Sequence, residues 1–162
     1  MTRNIPMLEP RFAYLCSYRA EFSEPQQMVG RGHFGTRMIA ALTGGIVKGD
    51  RLSGRVLPGG GDWATFDDRG VLRLDARVTL ETHDGALIYA SYRGVLRPLD
   101  KVRELIRRGG PKTAEDHAQV YFRTAPVFET GHPDYQWLND IVTVAIGASV
   151  GGAVEYDVYE ML

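Results

Sequence analysis

The chain has 162 residues, of which 44% are hydrophobic and 24% charged, the composition of a folded globular domain rather than a disordered segment. Nineteen Lys and Arg against twenty Asp and Glu leave a net charge of −1, which supplies no electrostatic footprint for nucleic acid or an anionic membrane. A single cysteine, Cys16, excludes an internal disulfide framework and a multi-thiolate metal centre.

The length fits one domain, 1–162, with room for a full core. No apolar run approaches the roughly 20 residues of a membrane helix. The N-terminus carries no basic segment followed by an apolar one, so a leader peptide is not expected and the chain reads as cytoplasmic. Nineteen glycines point to turns, bulges and close backbone approaches.

In chain order, Glu9 to Ala20 has Phe12, Tyr14, Cys16 and Tyr18 alternating with Arg11, Ala13, Leu15 and Ser17, a strand pattern. Arg51 to Pro58 is a short strand candidate, stopped by Pro58 and the Gly59-Gly60-Gly61 run. From Val71 to His83, Leu72, Leu74, Ala76, Val78 and Leu80 alternate with Arg73, Asp75, Arg77, Thr79 and Glu81. Asp84-Gly85 suits a type I′ hairpin turn into the partner strand Leu87 to Arg97, where Ile88, Ala90 and Tyr92 alternate with Tyr89, Ser91 and Arg93. One helix follows. Asp100 is its expected cap, Leu99, Val102, Leu105 and Ile106 its apolar stripe, and Gly109-Gly110-Pro111 its end. A polar stretch through His117 leads to a strand over Gln119 to Ala125. Two more strands, Asp140 to Val150 and Gly152 to Leu162, meet at a Gly151-Gly152 turn. About eight strands with one short inserted helix predict an all-β fold, a closed antiparallel barrel, because closure removes exposed edges. A barrel of that size holds one small ligand.

Four groups of residues can carry chemistry. The glycine run ending in Asp62-Trp63 puts an acid and a large ring on a tight loop. There Asp62 serves as a general base with Trp63 as a wall, or Asp62 caps free amides and Trp63 plugs the barrel. The Arg73, Asp75, Arg77, Glu81 face is either a solvated exterior of weak ion pairs or, with the barrel inverted, a polar lumen in which Asp75 and Arg77 anchor a substrate carboxylate or enolate. Tyr121 and Arg123 share a strand face about 7 Å apart, and either polarise a carbonyl or serve packing and structural ion pairing. Trp137 and Asn139, in Tyr135-Gln136-Trp137-Leu138-Asn139, either close a cavity and orient a ligand or plug the barrel. His33, His83, His117 and His132 lack metal-ligand spacing, and no Gly-x-Ser-x-Gly occurs. Cys16 reads as a small buried hydrophobe.

Together these segments have a familiar order: Gly44-Gly45, Leu-Pro-Gly-Gly-Gly-Asp-Trp at 57–63, Leu74-Asp75-Ala76-Arg77, Thr82-His83-Asp84-Gly85, Tyr121-Phe122-Arg123-Thr124, Pro126-Val127-Phe128-Glu129-Thr130 and Tyr135 to Asn139. The sequence resembles the family called domain of unknown function 3237, from about Tyr14 to the Tyr156–Tyr159 region. The resemblance implies a calycin-like β-barrel and favours lumen positions for Asp62, Asp75, Arg77, Tyr121 and Arg123.

The functional expectation is a small-molecule-binding barrel. As an enzyme it would be a cofactor-independent, metal-free cyclase, isomerase or lyase acting on an oxygenated metabolite. Asp62, Arg77, Tyr121 and Arg123 would then be catalytic, with Trp63, Asp75, Trp137 and Asn139 binding substrate. The alternative is a non-catalytic carrier or sensor using the same cavity. No nucleic-acid or membrane partner is expected. A polar lumen would leave apolar strand faces outside, which predicts a homodimer to cover them.

Overall fold

Period-two alternation governs the architecture of the computed structural model, which describes residues 8–162. The segment read for a leader, 1–7, lies outside the described residues. Eleven strands form one antiparallel sheet: β1 (Phe12–Phe22), β2 (Gln27–Gly32), β3 (Gly35–Lys48), β4 (Gly54–Val56), β5 (Gly61–Asp62), β6 (Thr65–Phe66), β7 (Leu72–Thr82), β8 (Leu87–Arg97), β9 (Tyr121–Glu129), β10 (Thr143–Ser149) and β11 (Ala153–Met161). The neighbours run β1-β11-β10-β9-β8-β7-β4-β3, and β1 pairs back onto β3 over Ser17–Phe22 to close the barrel. The short strands β4, β5 and β6 lie end to end between β3 and β7. They act as one interrupted stave, so the barrel has eight. β2 continues past β1 along the same edge of β3, from Gln27↔Ile39 to Gly32↔Gly35.

The two longest-paired strands turn their apolar rows inward. On β7, Leu72, Leu74, Ala76, Val78 and Leu80 are buried while Arg73 and Arg77 are exposed. On β8 the buried row is Ile88, Ala90, Tyr92 and Leu96, as the alternation predicts. β1 departs from strict alternation. A bulge between Tyr14 and Cys16 puts Tyr14 outside and turns Cys16, Tyr18 and Ala20 inward, so the one aromatic row splits between two faces.

Several local expectations need adjustment. The β7–β8 connection is a three-residue loop: the Thr82 amide donates to the Ala86 carbonyl at 3.0 Å and the Gly85 amide to the Thr82 carbonyl at 3.0 Å. Only Gly85 takes a positive φ there, +84°, so this is a type I turn closed by a glycine bulge rather than type I′. Helix α1 (Leu99–Arg108) has Pro98 as N-cap and Asp100 in its first turn, with no side-chain cap. The polar stretch after it folds into a second short helix, α2 (Ala114–Ala118), through a capping box between Thr113 and Asp116. The Gly151-Gly152 turn joins β10 to β11 as predicted, with φ of +72° and +68°.

The two barrel ends differ. One is shut by a 3-10 segment, Pro133–Asp140, which lays Leu138 into the core. Asn139 pins that segment by accepting from the Thr130 amide at 2.8 Å and donating to the Thr130 carbonyl at 3.0 Å. α1 covers the other end, burying Leu99, Val102 and Leu105.

Candidate functional site

Beneath α1 the lumen is not filled. A cavity of about 400 Å³ is lined by Leu72, Leu74, Leu96, Phe22, Met38, Phe66 and Phe122 on its walls and by Asp62, Tyr92 and Tyr156 at depth. Its size is within the roughly 300–1,000 Å³ range of small-molecule sites, and a mostly apolar wall with a few convergent polar groups is their usual composition.

The break between β5 and β6 sets Asp62 there. The backbone at Gly60 runs against the Arg77 carbonyl so closely that a Cβ would collide with it, which lets the chain wedge between β3 and β7. Asp62 then pairs with Ala40 on one side and Ala76 on the other. Directly opposed residues on paired antiparallel strands share a face. Two alanines therefore flank the carboxylate, and their small side chains leave the space above it open. Asp62 Oδ1 accepts the Asp75 amide at 2.9 Å. Asp62 is only 8% exposed, and burial pushes its carboxyl up to about 6; the Asp75 amide opposes that shift, the Asp75 carboxylate adds to it and Arg37 works against it.

Beside it stands a group of phenols that the sequence reading did not single out. Tyr18 stacks on Tyr156 with ring centroids 4.9 Å apart, Tyr92 meets Tyr156 edge-on at 5.6 Å, and Phe122 meets Tyr156 at 5.2 Å. Burial raises all three phenol pKa values, that of Tyr92 to about 12, and the charge of Asp62 adds to the rise at Tyr92 and Tyr156. These two hydroxyls thus stay protonated, as donors, next to a carboxylate. The Tyr18 hydroxyl is buried without a hydrogen-bond partner among the described residues. The signal was present in the sequence, since Tyr18 and Tyr92 each share an alternating row with buried small residues. Nothing local tells that β1, β8 and β11 bring their tyrosines together.

The other expected site residues lie elsewhere. Asp75 and Arg77 form an ion pair at 3.2 Å on the outer face, with side chains 38% and 45% exposed. Trp63 is half-buried on that same exterior, with the Arg77 guanidinium 5.4 Å from its ring and its carbonyl accepting from Arg37. Tyr121 and Arg123 are exposed because Phe122 and Thr124 take the inward row of β9. There Tyr121 lies between the guanidiniums of Arg97 and Arg123, at 4.9 and 5.2 Å. Trp137 packs at the closed end under Arg51, 4.4 Å from its ring, and Asn139 serves the Thr130 backbone. The inverted, polar-lumen arrangement is therefore corrected: an apolar row costs less to bury than a charged one, and β7, β8 and β9 keep their charged rows outside. With it goes the premise of the dimer argument, since the exterior of β7 is the charged face. Of the eight residues only Asp62 lines the cavity. Among the described residues no three His, Cys, Asp or Glu side chains converge to hold a metal, and no helix is long and apolar enough to cross a membrane.

The fold and cavity define a class: a closed eight-stranded antiparallel barrel, plugged at one end, with a cavity under a helix at the other. Residues 10–161 match the family model described as protein of unknown function DUF3237, and the chain belongs to that family. It is 36% identical over 158 residues to UPF0311 protein RPA1785 of Rhodopseudomonas palustris, covering 97% of this chain and 99% of that one. The crystal structure of RPA1785 superposes with a TM-score of 0.84 over 96% of this chain and 100% of that chain, at 34% identity. A beta-barrel like protein from Acinetobacter baumannii AYE gives 0.82 at 32% identity, over 99% and 100% of the two chains. A protein from Penicillium herquei described as an enzyme shares the fold, with a TM-score of 0.69 at 21% identity over 100% and 99%.

Proposed function

We propose that this barrel binds a small oxygenated metabolite in the chamber under α1 and performs cofactor-independent acid–base chemistry on it, as an isomerase, cyclase or lyase. The observation that carries the proposal is one ionisable carboxyl, Asp62, at the floor of an apolar cavity and beside two protonated phenols, Tyr92 and Tyr156. A carboxyl raised to about 6 is mostly ionised at neutral pH and close to the pKa that suits a general base. In the proposed reaction Asp62 takes a proton from carbon next to a ligand carbonyl. The enolate oxygen accepts hydrogen bonds from Tyr92 and Tyr156, and Asp62 returns the proton at another position, so the sequence balances without an oxidant or reductant. Phenols fixed in a dry pocket stabilise such an oxyanion more than water would. The same fold serves an enzyme in Penicillium herquei, so the scaffold is compatible with catalysis.

A second reading rests on the hydrogen bond from the Asp75 amide to Asp62 Oδ1. In that reading Asp62 completes the backbone ladder where β5 ends, and the cavity belongs to a carrier or sensor. Exchange in deuterium oxide separates the two. Cyclic enones and aryl ketones that bind are incubated with the protein, and deuterium gain at the carbon next to the carbonyl is followed by NMR. Enzyme-accelerated exchange that Asp62→Asn abolishes, with binding retained, supports catalysis. Tight binding without accelerated exchange supports the carrier.

A further inference from the structure

We propose that the chamber's occupant is an organic acid: a flat apolar body with a hydroxyl or carbonyl at one end and a carboxylate at the other, bound with the carboxylate at Arg103 in the mouth. This rests on the small-molecule reading of the cavity and adds the class and direction of the ligand. Three charged residues line the cavity: Asp62 at the floor, and Glu24 and Arg103 at the mouth. Arg103 sits on α1 with its guanidinium 5.9 Å from the ring of Phe66, itself a wall residue. A guanidinium so placed is held by the ring face without using up its donors. On α1, Lys101 pairs with Glu104 at 2.8 Å and Arg108 with Asp116 at 2.5 Å. Arg103 and Arg107 have no carboxylate partner among the described residues, and of these two only Arg103 lines the cavity.

The two ends are polarised oppositely. Asp62 is an acceptor that repels a second carboxylate and welcomes a hydroxyl donor, while Tyr92 and Tyr156 offer donors to a carbonyl. A ligand carboxylate beside Asp62 would set like charges together in a low-dielectric pocket, so the acid end points out. The register gives the span. Asp62 pairs with Ala76 and Phe66 with Leu72, so the floor and the ring under Arg103 lie four residues apart along β7, about 13 Å. That length accommodates a two-ring molecule with polar groups at opposite poles. Glu24, which lines the cavity beside Gly152, works against a second negative charge there and so favours a monoanion.

The test uses 6-hydroxy-2-naphthoic acid and its neutral methyl ester as probes, titrated by fluorescence into the protein and its variants. The acid is expected to bind the parent about tenfold or more tighter than the ester, as a charge-assisted bidentate contact should. Arg103→Gln is expected to remove that preference while leaving ester affinity within about twofold, and Glu24→Gln to tighten the acid alone. Added salt is expected to weaken the acid and spare the ester. Equal affinity of acid and ester in the parent, or equal loss of both in Arg103→Gln, overturns the organic-acid assignment and leaves the cavity reading standing. Probe binding that Leu74→Trp, which fills the chamber, leaves unchanged overturns the cavity reading and this assignment with it. So does failure of both probes to bind.

Discussion

The Asp62→Asn substitution is expected to stabilise the protein at pH 8 and to leave it nearly unchanged at pH 4. Asp62 has a folded pKa of about 6 against an ordinary value of 3.8. The folded state therefore binds the proton more tightly than the unfolded chain. This group's favourable contribution is complete below about pH 4 and is lost as pH rises through about 6. A rise from 3.8 to about 6 corresponds to about 3 kcal/mol at roughly 1.4 kcal/mol per unit. Asparagine keeps a neutral acceptor for the Asp75 amide, and the extra strength of the charge-assisted bond in the parent is already contained in the folded pKa, which that amide lowers. The gain at pH 8 is therefore about 3 kcal/mol, or roughly 6–12 °C in Tm for a chain of this length. Thermal unfolding followed by circular dichroism at pH 4, 6 and 8, parent and variant side by side, measures it. If the variant melts lower at pH 8, the carboxylate is primarily a backbone cap and not a destabilised functional acid. A rise in Tm combined with loss of activity would be the trade-off expected where a site holds an unfavourable charge for its chemistry.

Three further outcomes follow from the same geometry. Tyr18→Phe removes a buried hydroxyl that makes no hydrogen bond of ordinary geometry, its one close polar neighbour among the phenols being Tyr92, so urea unfolding should find the variant as stable as the parent or up to about 1 kcal/mol more stable; a loss of stability would mean that the Tyr18 and Tyr92 hydroxyls are bonded in solution. Gly147→Ala would bring a Cβ to 2.8 Å from the rings of Phe122 and Tyr156, and should cost about 1–3 kcal/mol by overpacking, with the near-ultraviolet tyrosine signal altered in proportion. An unchanged Tm would show that the two rings can retreat. Cys16 is 1% exposed and burial pushes its thiol up to about 12, with Asp157 adding, so a disulfide reagent at pH 8 should label it only at the rate of unfolding. Fast labelling under native conditions would contradict the barrel closure at β1.

The barrel was legible because its information is local. Leu72–Thr82 and Leu87–Arg97 alternate cleanly, and Gly151-Gly152 and Gly109-Gly110 mark a turn and a helix end at single positions. Asp62 was legible for a related reason, as an acid ending a glycine run in the interrupted stave. What alternation leaves undetermined is the choice of face. It separates Arg77 from Val78 but does not by itself say which looks inward, and preferring the chemically interesting face over the apolar one misplaced Asp75, Arg77, Tyr121 and Arg123. The tyrosine group escaped because its members lie 74 and 64 positions apart in the chain, at 18, 92 and 156, and only sheet closure unites them. Nothing local distinguishes Arg103 from the other charges of an amphipathic helix; only the packing of α1 over the cavity does.

Closure of β1 against both β3 and β11 also bears on when the site can exist during synthesis. β1 and β3 can zip together soon after they leave the ribosome, their partners lying within residues 17–48. β11 must thread into place between β1 and β10, and it carries Tyr156, Val154 and Val158, which complete the floor and the core. Until residues 153–161 have emerged, the nascent sheet is an open curl with its apolar row uncovered, and no chamber is present to hold a ligand. Long-range pairing of this kind folds slowly, on the order of milliseconds to seconds. The interval before the last stave docks is thus the stage at which a helper protein, or an aggregating neighbour, would find the chain most receptive.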